Sequence, residues 1–254
     1  MTNILLLPEI EMQVLTGNNE DWIDVLLFLD ELGNQVSLSA ISFEMEIRRH
    51  VTDHEVLLKA TSGNGEILVM GLGQGVMQIT VPAASMQPIP DGNYVMDMLA
   101  YAEGYQRRIV SGAPVVVFQG VTQIAEAGAR ETPPPSNILV LPMIDMEIIQ
   151  ANNDDWLLTL VYNDLNGVPL SLADMAFDFH MRQTPRAKDI VVSASTADGR
   201  MTVTPDNKLN IVVPASAFSM TWPGNYVGDI LATSFGYRRI VSRMAFTFTE
   251  GVTR

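Results

Sequence analysis

The sequence predicts an all-β protein built as a tandem duplication of an immunoglobulin-like β-sandwich. Three observations carry this. The chain repeats itself at an offset of 134 residues. Apolar and polar residues alternate with period two inside each copy, as in a strand with one buried face. Turn residues punctuate the alternating stretches at short intervals.

The repeat comes first because it sets the domain count. NILLLPEIEM (3–12) matches NILVLPMIDM (137–146), and the offset of 134 persists through Trp22/Trp156, Asp30/Asp164, Gly33/Gly167, Phe43/Phe177 and Gly65/Gly199. Beyond that point the register slips by two or three residues. VPA recurs at 81–83 and 213–215, GNYV at 92–95 and 224–227, RRIVS at 107–111 and 238–242, and GVT at 120–122 and 251–253. The expected domains are residues 1–123 and 137–254, separated by IAEAGARETPPPS (124–136), whose prolines make a short, stiff spacer.

Within copy one, the segment around Ile10, Met12 and Val14 reads as the first strand. The next covers 22–30, with Trp22, Leu26 and Phe28 facing inward. In ISFEMEIRR, Phe43, Met45 and Ile47 point one way and Glu44, Glu46 and Arg48 the other; copy two repeats this with Phe177, Phe179 and Met181 opposite Asp178, His180 and Arg182. Further strands are expected at 55–60, 66–70, 76–81, 93–100 and 113–118, divided by the turns ELGN, SGNG and PDG. Only ASMQPI (84–89) and SAFSMT (216–221) suggest a helical turn. Seven or eight short strands in about 120 residues fit an immunoglobulin-type sandwich.

Composition narrows the function classes. The net charge is -14 with a pI near 4.5, which disfavours a phosphate-backbone binder. Cysteine is absent, so thiolate metal sites, disulfides and cysteine nucleophiles are excluded. The first residues, MTNILLLPEIEMQ, lack the basic region of a signal peptide, and no apolar run approaches the roughly 18 residues of a membrane span. The expectation is a soluble chain that stays in the cytoplasm until assembly or lysis, with no nucleic-acid or membrane partner and no cofactor.

The succession of Trp, D-x-x-G, an L-S strand with F-x-M-x-I-R, a G-x-I turn, V-P-A, P-x-G-x-Y-V-x-D and a closing G-V-T-R resembles the immunoglobulin-like domains of bacteriophage tail, baseplate and tail-fibre adaptor proteins. The resemblance covers both copies. It implies a virion structural protein without catalytic residues, whose partners are other virion proteins. Copy one departs by Gln123 where copy two has Arg254, and copy two has Gly228 where copy one has Met96.

Five clusters are candidate sites. NNEDW (18–22) and NNDDW (152–156) are dense in oxygen ligands but lack the alternate spacing and glycine of a calcium loop, so a polar turn entering a strand is expected. His50, Asp53 and His54 imitate zinc-ligand spacing, yet copy two has Thr184 and Lys188 in place of the histidines, and a solvated loop is expected. His180 is expected to be exposed. GLGQG (71–75) lacks the following helix of a phosphate loop and reads as a hairpin connection. The pairs Arg107-Arg108 and Arg238-Arg239 are expected to meet local carboxylates.

Two functional alternatives remain beside the assembly role. A glycan site would use Trp222, Phe235 and Tyr237 of copy two, since copy one has Pro90 and Glu103 in place of the first two. Self-association would use Ile4, Leu5, Leu6 and Leu7, a segment apolar on both faces, joining chains head to tail into a homo-oligomer or ring. The alternative for that segment is an edge strand tucked onto its own sandwich.

Overall fold

The computed structural model describes residues 7–30, 32–70, 75–122, 138, 140–164 and 166–250. The chain divides into two compact units, Met1–Phe118 and Gln119–Arg254.

Unit one contains β1 (Val14–Gly17), β2 (Trp22–Leu27), β3 (Ser42–Arg48), β4 (Leu58–Thr61), β5 (Ile67–Met70), β6 (Val76–Val81), a single helical turn α1 (Ala83–Met86), β7 (Gly92–Ala102) and β8 (Tyr105–Phe118). One sheet has the order β1-β8-β7-β3-β4 and the other β2-β6-β5. Every ladder is antiparallel except β1 against β8. A five-stranded sheet with a parallel first-to-last pairing, opposed to a three-stranded sheet, is an immunoglobulin-type sandwich. Unit two repeats it with β9 (Ile144–Ala151), β10 (Trp156–Val161), β11 (Ala176–Arg182), β12 (Val192–Ser195), β13 (Met201–Val203), β14 (Lys208–Val213), β15 (Gly224–Ser234) and β16 (Tyr237–Thr249). Its sheets run β12-β11-β15-β16-β9 and β10-β14-β13, with β9 parallel to β16. Among the described residues no helix is long and apolar enough to cross a membrane.

The alternation expected of FEMEIR holds: Phe43, Met45 and Ile47 are buried while the residues between them are half-exposed. The main departure is β8, which begins at Tyr105 rather than near 113. Glu103 and Gly104 both adopt positive φ, of 48° and 81°, and close a two-residue hairpin that carries the pairing of β7 straight into RRIVS. Glutamate is a poor marker for such a turn, so the sequence hides it. The first strand also starts later than expected, at Val14, and the predicted 22–30 strand ends at Leu27. Phe28 leaves the ladder for a pair of loop bonds: its own N–H donates to the Gly75 carbonyl at 2.7 Å and its carbonyl accepts the Val36 N–H at 3.0 Å.

The turn motifs shared by the copies are hydrogen-bonding devices. In D-x-x-G, Asp30 accepts the backbone N–H of Leu32 and Asn34, and Asp164 those of Asn166 and Val168, while Gly33 and Gly167 sit at φ near 80°. In P-x-G-x-Y, the Tyr94 hydroxyl donates to the Pro90 carbonyl at 2.7 Å and that of Tyr226 to the Trp222 carbonyl at 2.9 Å. This is the tyrosine corner that fixes the turn into the sixth or seventh strand of such sandwiches.

The cores differ in chemistry although their frames match. Unit one packs Met45, Met77, Met86, Met96 and Met98 around Trp22 and Phe43. Unit two packs rings: Trp156 lies 4.9 Å from Phe179 and 5.3 Å from Phe246, and Phe218 lies 5.2 Å from Phe248. Gly228 follows from this. A Cβ there would come within 2.7 Å of the Phe179 ring and 3.1 Å of the His180 carbonyl. The ring also packs against Trp156 and Phe246, at centroid distances of 4.9 and 5.9 Å, which restricts its room to shift. Copy one places two flexible methionines, Met45 and Met96, where copy two places a phenylalanine and a glycine. Gly228→Ala should therefore destabilise unit two by about 1–3 kcal/mol through overpacking. Adding Phe179→Met should recover most of that loss, and chemical unfolding of the single and double variants measures both effects.

Candidate interaction site

The acidic clusters serve the backbone. Asp21 is buried and its Oδ1 accepts the N–H of Ala83 at 2.6 Å, tying the start of β2 to the helical turn after β6. Asp155 repeats the bond to Ala215 at 2.7 Å. Glu20 accepts the N–H of Gly17 at 2.6 Å and so closes the turn from β1. Copy two reaches the same end differently: the Gln150 amide donates to the carbonyls of Ala151 and Asp154. Trp22 and Trp156 are core residues, each 3% exposed.

A second construction is less visible in the sequence. Gly120, Val121 and Thr122 follow β8 but pack within unit two, where all three are buried. Asp229 of β15 accepts the N–H of Val121 at 2.6 Å and that of Thr122 at 2.5 Å. Arg182 of β11 donates from Nε to the Val121 carbonyl at 2.9 Å. Its Nη1 meanwhile holds the carbonyls of Ala187 and Lys188 in the loop beyond β11. His180 and Asp229 stand directly opposite in the β11–β15 ladder. The Thr122 hydroxyl bridges them, accepting from the His180 N–H at 2.9 Å and donating to the Asp229 carbonyl at 2.8 Å. A two-residue peptide is thus bound through both of its N–H groups, one carbonyl and one hydroxyl. The expected boundary at residue 123 shifts to Phe118/Gln119 for this reason: Gly-Val-Thr ends copy one in sequence but belongs to unit two in packing.

Burial sets the electrostatics. It pushes the Asp229 carboxyl up to about 6, against the bonds from Thr122 and Val121 and the charge of Arg182, which pull it down. Burial pushes His180 down to about 4, and the Arg182 charge adds to this. The expectation of an exposed His180 is thereby corrected: the side chain is half-buried, because its outward face is the one the bound segment lies against.

The remaining candidates disperse. His50 and His54 lie exposed in a loop, where the His50 N–H donates to Asp53 Oδ2 at 3.1 Å. No group of three histidine or carboxylate side chains able to hold a metal occurs among the described residues. Gly75 immediately precedes β6, with residues 71–74 of the glycine-rich stretch outside the described residues. Leu7 is fully buried in the core of unit one; Ile4, Leu5 and Leu6 lie outside the described residues. Ile138 and Leu141 of the matching segment are buried too. Trp222 is 79% exposed, but the proposed aromatic platform is not assembled. Tyr237 is buried at 3%, and Phe235 sits beyond the far end of the 11-residue β15, on the order of 30 Å from Trp222.

No family model matches the chain, and no curated protein does. Among solved structures, the chain is similar to a marsupial T cell receptor at 8% identity and a TM-score of 0.27, covering 95% of this chain and 73% of that one. It is similar to the Ig1-2 module of the Drosophila receptor protein tyrosine phosphatase DLAR at 8% identity and a TM-score of 0.24, covering 96% of each. A tetra-tandem repeat from a large adhesion protein gives 13% identity and a TM-score of 0.27, with 83% of this chain and 42% of that one covered. The fold assignment rests on the strand order given above.

Two outcomes test the site. Thr122→Val keeps the shape and removes the hydroxyl, leaving the His180 N–H and Asp229 carbonyl without their bridge, at a cost of about 1–3 kcal/mol in unit two. Faster amide exchange at His180 would accompany it. For pH, the folded value of His180 lies below the ordinary 6.5, so the unfolded chain takes up the proton first. The neutral histidine's contribution is therefore lost as pH falls from 6.5 towards about 4. Asp229 has the opposite sign: its raised value makes stability fall as pH rises from 3.8 to about 6. Melting temperatures of wild type and His180→Gln between pH 7 and about 5 separate the two, the variant losing less on acidification.

Proposed function

We propose that this chain is a non-enzymatic structural protein of a bacteriophage particle, joining or decorating parts of the tail, collar or baseplate through protein–protein contacts. One observation supports it above the others: the turn aspartates and corner tyrosines that both copies keep are committed to their own backbone. Asp21 and Asp155, Asp30 and Asp164, and Tyr94 and Tyr226 each bond main-chain groups at a turn or corner. A duplication that retains its frame while core chemistry and surface drift is what an assembly module needs, since each copy meets a different neighbour. Charge follows that pattern, with 6 basic and 16 acidic side chains in residues 1–130 against 9 and 13 in residues 131–254. The phage assignment comes from the motif resemblance, and the implied location is the virion, assembled in the host cytoplasm.

Mass spectrometry of purified particles, with immunogold labelling to place the protein, provides the test. The expected result is a stoichiometric component of the tail or its junctions. Absence from particles would overturn the reading.

A glycan-binding role keeps one specific observation in its favour. Trp222 and Met220, 79% and 87% exposed, line a cleft of about 200 Å³ together with Asn152, Thr221 and Glu250. An exposed indole beside carboxylate and amide groups suits a sugar face. A glycan array answers this: the assembly reading expects no binding that Trp222→Ala abolishes.

A further inference from the structure

Unit one carries the same donor and acceptor side chains that hold Val121 and Thr122 in unit two, but in it they are only partly used. Arg48 and Asp97 occupy the positions of Arg182 and Asp229, at the end of β3 and in the middle of β7. Glu46, in the position of His180, stands opposite Asp97 as His180 stands opposite Asp229. Arg48 also keeps the loop-holding role, its Nη1 donating to the Asp53 carbonyl at 3.3 Å as Arg182 does to Ala187.

The two sites part company at the groups that bind the peptide. Arg48 Nε is shielded from solvent and has no hydrogen-bond partner among the described residues, whereas Arg182 Nε donates to Val121. Among the described residues Asp97 accepts a single N–H, from Gly112 at 2.8 Å through Oδ1, whereas Asp229 accepts two with its two oxygens. Asp97 and Arg48 are half-exposed; Asp229 and Arg182 are 2% and 4% exposed. A buried guanidinium N–H without an acceptor is costly. A carboxylate with one oxygen in use has lone pairs to spare. Together they ask for a peptide carbonyl beside two N–H groups.

The sequence contains a second Gly-Val-Thr. Residues 251–253 follow β16 as residues 120–122 follow β8. We infer that Gly251–Thr253 of one molecule docks on Asp97 and Arg48 of a second copy of this chain. The Val252 carbonyl accepts the Arg48 Nε–H, the Val252 and Thr253 N–H groups donate to Asp97, and the Thr253 hydroxyl lies between the backbones of Glu46 and Asp97. Donor and acceptor sit on different units, so the contact is heterologous: each molecule offers one tail and one socket, and joining them gives a ring or a filament according to the rotation per step. This deepens the assembly reading by naming a partner, yet it concerns the purified chain and stands or falls without any particle.

Complementation between two broken chains is the test. Residues 1–250 lack the tail and keep the socket; full-length Asp97→Ala keeps the tail and loses the carboxylate. Light scattering and sedimentation of the wild type should show concentration-dependent oligomers. Each variant alone should associate roughly tenfold to hundredfold more weakly, the effect of losing charge-assisted hydrogen bonds. An equimolar mixture of the two variants should form a dimer that grows no further. Val252→Asp in the full-length chain, which leaves the socket untouched, should match residues 1–250 and covers the case in which Asp97→Ala misfolds. A wild type that stays monomeric at its highest soluble concentration overturns the inference. So does an oligomer that survives both removal of the tail and Val252→Asp.

Discussion

A β-sandwich satisfies its backbone by ladders, and the ladders stop at every turn, corner and edge. What happens to the N–H and carbonyl groups left there governs much of this molecule. Carboxylates take the N–H groups at the turn into β2, at the D-x-x-G loops and at Ala83 and Ala215, just after β6 and β14. Tyrosine hydroxyls take the carbonyls at the corners before β7 and β15. Side chains that look like ligands in the sequence are therefore largely internal acceptors, and an acidic protein spends part of its charge on its own main chain.

The same accounting explains why residues 119–122 join unit two. The N–H and carbonyl of Val121 and the N–H and hydroxyl of Thr122 find partners on Asp229, Arg182 and His180, and the two residues become 4% and 0% exposed. Burying a carboxylate is expensive, as its raised pKa shows, and the cost is offset by two N–H donors and the guanidinium nearby. The peptide completes a site that would otherwise hold a charge without sufficient partners. In unit one the corresponding arginine has a shielded N–H with no acceptor among the described residues, which marks the same site as incomplete.

Core chemistry is decoupled from this frame. Methionine in unit one and aromatic rings in unit two fill equivalent space, with compensating changes at Met45/Phe179 and Met96/Gly228. Methionine adapts its shape to the space available, whereas rings demand a defined void, so the glycine is needed only where the phenylalanine is. The turns and corners, by contrast, tolerate little change because hydrogen-bond geometry is directional.

The sequence alone determined the duplication, the all-β class, most strands and the inward faces of β3 and β11, because period-two burial and turn chemistry are local and appear twice. It also showed Trp22 and Trp156 as core anchors. It did not show that β8 begins at Tyr105, since Glu103 gives no sign of a left-handed turn. Nor did it bring Asp229, Arg182 and Thr122 together, although the recurrence of Gly-Val-Thr and of the Arg–Asp pair was legible as a pattern. It grouped Trp222, Phe235 and Tyr237, which the tertiary structure separates along an 11-residue strand and, for Tyr237, buries. Proximity across strands depends on register and on which unit a connecting segment joins. Those are decided by the summed burial and hydrogen bonding of residues about 60 to 108 positions apart, as in His180–Thr122 and Val121–Asp229.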